Sequence, residues 1–241
     1  MLRKALTFLF AICAFTAKAQ IDESQIPPIS KANFKIDTNK LVADENGKLL
    51  HYYQYHNLLV SGEYGMKFKG DPKSPDSKAY LEKITVEASR ALYETLKPAM
   101  AVTNTQLHEG NKLDLSIFAP QLAKENFIGS KAIVLIFWEP DCDVCLASFP
   151  TLENYFKQVV NPSNVMIVAV SRGSDHIIQS KKMLPQVSFI SGLDGKRVAD
   201  FYQVVKSPVY VIADKYFTIK FAANGTYMPL LKDTISQLLA N

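Results

Sequence analysis

Cysteine is scarce in this 241-residue sequence, which has three cysteines, four histidines and one tryptophan. Cys13 lies within the first twenty residues, whereas Cys142 and Cys145 are separated by only two residues. So few cysteines exclude a multi-bridge framework, and the later pair is either one local disulfide or a reactive dithiol. Internal repeats, a glycine-rich phosphate loop and a Gly-x-Ser-x-Gly motif are also missing from the sequence, and no cofactor is predicted.

Apolar runs long enough to cross a bilayer are missing after the first twenty residues. At the N-terminus, Arg3 and Lys4 precede the short run ALTFLFAICAF, and AKA before Gln20 supplies the small residues of a cleavage site. This order predicts a signal peptide over residues 1–19 and an exported, periplasmic protein. A retained membrane anchor is the alternative.

An excess of positive charge is also missing once the predicted signal peptide is removed. Loss of Arg3, Lys4 and Lys18 leaves 24 basic residues against 23 acidic ones. A net charge of +1 does not predict binding to nucleic acid or to an acidic membrane surface.

Residues 20–110 are predicted to form a small α+β module of unknown role. Asn46-Gly47 is typical of a hairpin turn, HYYQYHNLLVSG predicts a helix ended by Gly62, and EYGMKFKG predicts a strand. The aromatic residues of HYYQYH fit either a core or a docking surface. A long helix is predicted from a Ser74 cap to Pro98, on the basis of an apolar stripe at helical spacing that includes Leu81, Ile84, Ala88, Leu92 and Leu96.

Residues 111–241 are predicted to form an α/β domain. Two buried strands are predicted, at KAIVLIFW and NVMIVAVS. Three more strands are predicted at VSFI, SPVYVIAD and FTIKFAA. Helices are predicted at residues 145–160, 174–184 and 228–241, and a short helix or a turn at residues 195–205. Strands that alternate with helices imply a central mixed or mostly parallel sheet with helices on both faces.

The segment WEPDCDVC places the cysteine pair directly after the first buried strand. A cysteine at a helix N-terminus ionises more easily, because free N–H groups and the helix dipole stabilise the thiolate. Cys142 would therefore be the exposed attacking thiol, and Cys145, one turn further in, would resolve a mixed disulfide.

The longer segment VLIFWEPDCDVCLASFP resembles the active-site segment of thioredoxin-like proteins, most closely exported thiol–disulfide oxidoreductases of the TlpA/ResA type. The resemblance covers about residues 111–241 and includes the proline five residues after the second cysteine, Pro150. It implies a thioredoxin-like fold in which VVKSPVYVIAD holds a cis Ser207-Pro208 bond that helps to bind a substrate strand. An ordinary edge-strand proline is the alternative for Pro208.

The resemblance also implies exchange with disulfides of exported proteins and a protein electron donor, with docking to a membrane reductase as one role for the N-terminal module. The sequence departs from the family pattern at Asp141, Asp143-Val144 and Leu146. Nearby acids raise a thiol pKa and disfavour the reduced form, which predicts a reductant or isomerase rather than a strong oxidant.

Two more residues near the cysteines are candidates for the site. Trp138 is either a wall of the substrate site or a core aromatic residue, and Glu139 is the nearest acid that could accept a proton from Cys145. Arg172 follows the second buried strand, where it either flanks the site or is solvated.

The sequence also allows other functions for the cysteine pair. It could be a structural disulfide, although so short a loop stabilises little. It could bind zinc or copper with His176, as part of a non-catalytic metal- or partner-binding protein on the same scaffold. A peroxidase is a weaker alternative.

Overall fold

The computed structural model describes residues 39–71, 74, 76–102, 104–118, 122, 127–159, 164–173, 180–182 and 184–241. All of these residues fall in a single compact unit. The predicted signal peptide and His176 lie outside the described residues, as does most of the helix predicted at 174–184. Within the described part of the chain, no helix combines the length and the apolar character that a membrane span requires.

The N-terminal residues form a four-stranded sheet and two helices. The elements are β1 (Val42–Ala43), β2 (Leu49–Leu50), α1 (Tyr52–Ser61), β3 (Tyr64–Lys69), β4 (Lys78–Lys83) and α2 (Val86–Met100), and the strand order is β2-β1-β4-β3. The predicted turn is confirmed: Gly47 has φ +81°, which favours glycine, and joins two antiparallel strands. The predicted helix end is also confirmed, since Gly62 has φ +76° directly after α1.

The long helix predicted from Ser74 to Pro98 is wrong in its first half. Residues Lys78–Lys83 form β4, which pairs with β3 along its full length. The helix begins only after Thr85, whose side chain accepts a hydrogen bond from the Ala88 N–H. Buried Ala79 and Leu81 alternate with more exposed neighbours, as is typical of a strand. The residues that were predicted to form one apolar stripe of a single helix therefore belong to a strand and a separate helix.

The C-terminal residues form a five-stranded mixed sheet, which confirms the predicted sheet class, and the strand order is β7-β6-β5-β8-β9. The elements are β5 (Ala132–Phe137), α3 (Asp143–Val159), β6 (Val165–Val170), β7 (Ser188–Ile190), α4 (Gly192–Phe201), β8 (Val209–Asp214), β9 (Ile219–Asn224) and α5 (Met228–Ala240). Strands β7, β6 and β5 are parallel, whereas β8 and β9 are antiparallel to their neighbours.

The central strand β5 explains why the core has two layers. All six of its residues are buried, and successive side chains point to opposite faces. Ala132, Val134 and Ile136 join a cluster with residues of α3 and α5. The other three join a cluster with residues of α4 and of the short helix Leu115–Phe118. The sheet is thereby covered on both faces.

The boundary predicted near residue 110 remains a prediction. The described residues on its two sides pack together, because Ala147 of α3 belongs to the same buried cluster as Tyr52, Tyr55 and Leu81. Two of the tyrosines in HYYQYH are therefore core residues, which was one of the two alternatives.

His56 in α1 predicts an acid-sensitive fold. Its Nδ1 is buried with no hydrogen-bond partner among the described residues, and burial lowers the pKa of the ring from 6.5 to about 4. The unfolded chain therefore binds a proton that the folded chain excludes, and stability falls as the pH drops from 6.5 towards 4. We expect this histidine to account for a loss of about 2 kcal/mol in the free energy of unfolding between pH 7 and pH 5.

Urea unfolding of His56→Gln at both pH values checks this expectation. The variant should lose about 2 kcal/mol less than the wild type over this interval. His108→Gln, which removes an exposed histidine, is the matched control and should follow the wild type. Equal pH dependence in all three proteins would contradict the assignment to His56.

Candidate active site

Cys142 and Cys145 are joined by a disulfide bond at the start of α3, with their Cα atoms 5.2 Å apart. Cys142 is partly exposed, whereas Cys145 is fully buried. The Cys145 N–H donates a hydrogen bond of 3.1 Å to the Cys142 Sγ, so the first turn of the helix is directed at this sulfur. Such a donor stabilises a thiolate at Cys142. The two sulfurs thus differ as the sequence predicted, with one accessible and one enclosed.

A tight turn delivers Cys142 from β5 to α3. The Cys142 N–H donates to the Glu139 carbonyl at 3.1 Å, which closes a turn with Pro140 at its second position. Proline fixes the backbone angle that this position needs. The Leu146 N–H then donates to the Cys142 carbonyl, so the helical hydrogen bonds begin at the first cysteine. The apolar strand and the turn together fix where the sulfur lies.

The predicted cis bond between Ser207 and Pro208 is present. Antiparallel pairing of β5 and β8 sets Phe137 opposite Val209, and therefore brings the cis proline to the edge of the sheet where the cysteine turn begins. The Pro208 carbonyl accepts a hydrogen bond of 2.8 Å from the Gly225 N–H. The role of Ser207 and Pro208 in binding a substrate strand remains a prediction.

Trp138 is completely buried, which favours the core alternative. Its ring lies edge-on to Phe149 and Phe189, with centroids 5.3 and 6.1 Å away. Its Nε1 has no hydrogen-bond partner among the described residues. The proposed contact of Trp138 with substrate stays a prediction, and the ring as placed has no surface to offer one.

The Glu139 carboxylate is directed towards the loop after β6. It accepts hydrogen bonds from the Ser171 hydroxyl (3.2 Å), the Arg172 N–H (3.3 Å) and the Gly173 N–H (3.2 Å). The Arg172 guanidinium lies 3.8 Å from the same carboxylate. These contacts hold the active-site turn against the loop after β6. The role of Glu139 as a proton acceptor for Cys145 remains a prediction.

Arg172 links the cysteine turn to the segment that leads into the cis proline. Besides Glu139, its guanidinium contacts Asp200 at 3.2 Å and donates to the Val204 carbonyl. Hydrogen bonds from Lys196 and Arg172 hold the pKa of Asp200 below its usual value. Arg172 therefore flanks the site, which was one of its two predicted roles.

A chain of hydroxyl groups behind Cys145 was not predicted. The Ser148 hydroxyl donates to the Cys145 carbonyl at 2.7 Å and lies 3.3 Å from the Tyr210 hydroxyl. Thr226 in turn donates to Tyr210 at 2.9 Å. Burial raises the pKa of Tyr210, so this phenol stays protonated. These hydroxyl groups come from three separate segments, and no local sequence pattern indicates that they are hydrogen-bonded to one another.

The N-terminal helix also reaches the site, and sequence reasoning missed this contact. Tyr53, which is 45% exposed, donates a hydrogen bond of 2.6 Å to Asp143, the residue that follows Cys142. Ninety residues separate the two partners, and neither lies in a motif that points to the other.

Metal ligands do not gather around the cysteines in the described part of the chain. No group of three or more histidine, cysteine, aspartate or glutamate side chains there could hold a metal ion. His176, the other predicted ligand, is outside the described residues.

Comparison with known proteins finds matches to about half of the chain, and no family model matches. The sequence is 23% identical over 128 residues to the thiol-disulfide oxidoreductase YkuV of Bacillus subtilis (strain 168), covering 50% of this chain and 85% of that protein. A structure of the thioredoxin domain of a thiol-disulfide oxidoreductase from Bacteroides vulgatus is 17% identical, with a TM-score of 0.42, and covers 58% of this chain and 99% of that one. The solution structure of an oxidised thioredoxin-like protein is 21% identical, with a TM-score of 0.41, over 49% of this chain and 84% of that one.

Proposed function

The chain is thioredoxin-like in its sheet, its cysteine pair and its cis proline, and from this we propose that it is an exported thiol–disulfide oxidoreductase of the TlpA/ResA type. The observation that carries the proposal is the asymmetric pair, in which Cys142 is accessible at a helix N-terminus and Cys145 is buried behind it. The name of the Bacillus subtilis relative supports the same activity.

The proposed reaction reduces a disulfide in an exported protein. The Cys142 thiolate attacks one substrate sulfur, the substrate S–S bond breaks, and the other substrate sulfur leaves as a thiolate. Cys145 then loses its proton and attacks the Cys142 Sγ, which releases the second substrate thiolate. Both substrate thiolates take up protons, and the two electrons of the dithiol have moved to the substrate. A second protein must return two electrons to the Cys142–Cys145 disulfide.

The acids of the active-site turn favour the reducing direction. Asp141 and Asp143 flank Cys142, and their negative charge disfavours its thiolate. The N–H of Cys145 acts in the opposite sense. We propose that the acids prevail and that the protein is a reductant or isomerase in the periplasm, with docking to a membrane reductase as the source of electrons.

The midpoint potential of the Cys142–Cys145 couple tests this proposal. We expect a value near or below about −220 mV in glutathione or dithiothreitol buffers, because a less stable thiolate lowers the potential. Trp138 is the only tryptophan, and its fluorescence can follow the change. The double variant Cys142→Ser/Cys145→Ser is the control and should show no transition. A value near about −120 mV would contradict a reductant, and no transition in the wild type would favour a metal- or partner-binding protein.

A further inference from the structure

Helix α1 lies along one face of the helix that carries the cysteines. Thr151 donates its hydroxyl hydrogen bond to the Asn57 side chain, Ala147 lies in the buried cluster of Tyr52 and Tyr55, and Asp143 accepts from Tyr53. The three contact positions on α3 are spaced by four residues, so they share one face. That face begins between the two cysteines, and the N-terminal module is in direct contact with the redox site.

The contact at Asp143 is a strong hydrogen bond to a charged group. A hydroxyl donor 2.6 Å from a carboxylate oxygen is in the range of charge-assisted bonds. The same bond raises the pKa of Tyr53, which keeps the phenol protonated as a donor. Half-buried Asp143 is the first residue of α3, directly after the residue whose sulfur would ionise.

Several other charged and polar groups belong to the elements that meet at the cysteine turn. On the turn itself lie Asp141 and the Glu139 carboxylate, and the latter is paired with Arg172 at 3.8 Å. The Cys145 N–H from α3 donates to the Cys142 sulfur itself. Buried Tyr52 lies next to Tyr53 in α1, and Lys206 lies in the segment before the cis proline. Asp143 accepts a hydrogen bond from α1, which comes from a distant part of the chain.

We propose that Tyr53 is a positioning residue of the redox site. By donating to Asp143, it fixes the carboxylate and disperses its charge, so that the Cys142 thiolate is more stable than the turn alone would make it. The N-terminal module would then set the reactivity of the dithiol. This inference rests on the proposed function for its biological meaning, but it concerns thiolate formation and can be measured without any substrate.

A double-mutant cycle on the reduced full chain tests the inference. The rate of Cys142 alkylation by iodoacetamide is measured from pH 4 to pH 10. Cys13 falls in a separate peptide, and fragment-ion mass spectrometry of the peptide that holds Cys142 and Cys145 assigns the label to one of the two. Tyr53→Phe should raise the pKa of Cys142 by about half a unit, which slows alkylation about threefold below that pKa. Asp143→Asn should lower the pKa of Cys142, and adding Tyr53→Phe to it should cause no further shift.

Asn57→Ala is the matched control, because it removes another contact between α1 and α3 without touching Asp143. It should leave the pKa of Cys142 unchanged, even if it lowers the melting temperature. An equal shift in Asn57→Ala, or a Tyr53→Phe shift that persists in the Asp143→Asn background, would overturn the inference. Failure of the wild type to reduce insulin would count against the proposed function alone, since the coupling is measured on the thiol itself.

Discussion

Replacing Cys142 with serine is expected to reduce insulin reduction to the rate of dithiothreitol alone. Cys142 carries the accessible sulfur that receives the Cys145 N–H hydrogen bond, so its loss removes the nucleophile of the first step. Cys145→Ser is expected to behave differently, because Cys145 is buried and acts only on the mixed disulfide. This variant should still attack the substrate and should accumulate a covalent complex with it.

The measurement is insulin turbidity with dithiothreitol, together with non-reducing gels of each variant after brief contact with insulin. Cys145→Ser should give a band of enzyme joined to insulin that dithiothreitol slowly releases, and Cys142→Ser should give none. Melting temperatures of the reduced wild type and both variants control for loss of fold. If both single variants kept full activity, the proposed mechanism would be wrong.

The central sheet and the cysteine site were predictable because their signals are local. The short run of six apolar residues in β5 is typical of a strand covered on both faces, and the turn and helix follow it directly in sequence. The position of Ser207-Pro208 beside the site came from the resemblance, and the pairing of β5 with β8 explains it. The roles of these residues in catalysis remain predictions.

The errors and omissions have physical causes of their own. Leu81 and Ile84 fit a helical stripe with the residues of α2, but pairing with β3 decides the conformation of Lys78–Lys83, and that pairing is invisible to a local window. The Tyr53 bond to Asp143 and the contacts of Arg172 join segments that are distant in sequence and meet only in the folded protein. Tertiary contacts between polar side chains produce no periodic pattern in the sequence, so a search for helical or strand periodicity cannot find them.

Gly195→Ala is expected to destabilise the protein strongly, by about 3 kcal/mol or more. Gly195 is buried in α4, where the helix crosses the ends of β6 and β7. A Cβ at this position would lie 1.8 Å from the Ser171 carbonyl oxygen and 2.9 Å from the Ile190 carbonyl oxygen. Both neighbours are backbone atoms, which cannot rotate out of the way. A shift of Ser171 would disturb its hydrogen bond to Glu139 in the active-site turn, and a shift of the helix would disturb the contact of Asp200 with Arg172.

Urea unfolding of Gly195→Ala and of Leu193→Ala, a control on the same helix whose side chain is 88% exposed, separates two opposing effects. Alanine is the better helix former by about 1 kcal/mol, so local propensity alone would make Gly195→Ala more stable than the wild type. Close packing against the Ser171 carbonyl predicts the opposite sign, while Leu193→Ala should change stability by less than about 0.5 kcal/mol. A stabilised Gly195→Ala would therefore mean that α4 does not approach the strand ends this closely, and the contacts of Arg172 with Asp200 and Val204 would have to be reconsidered with it.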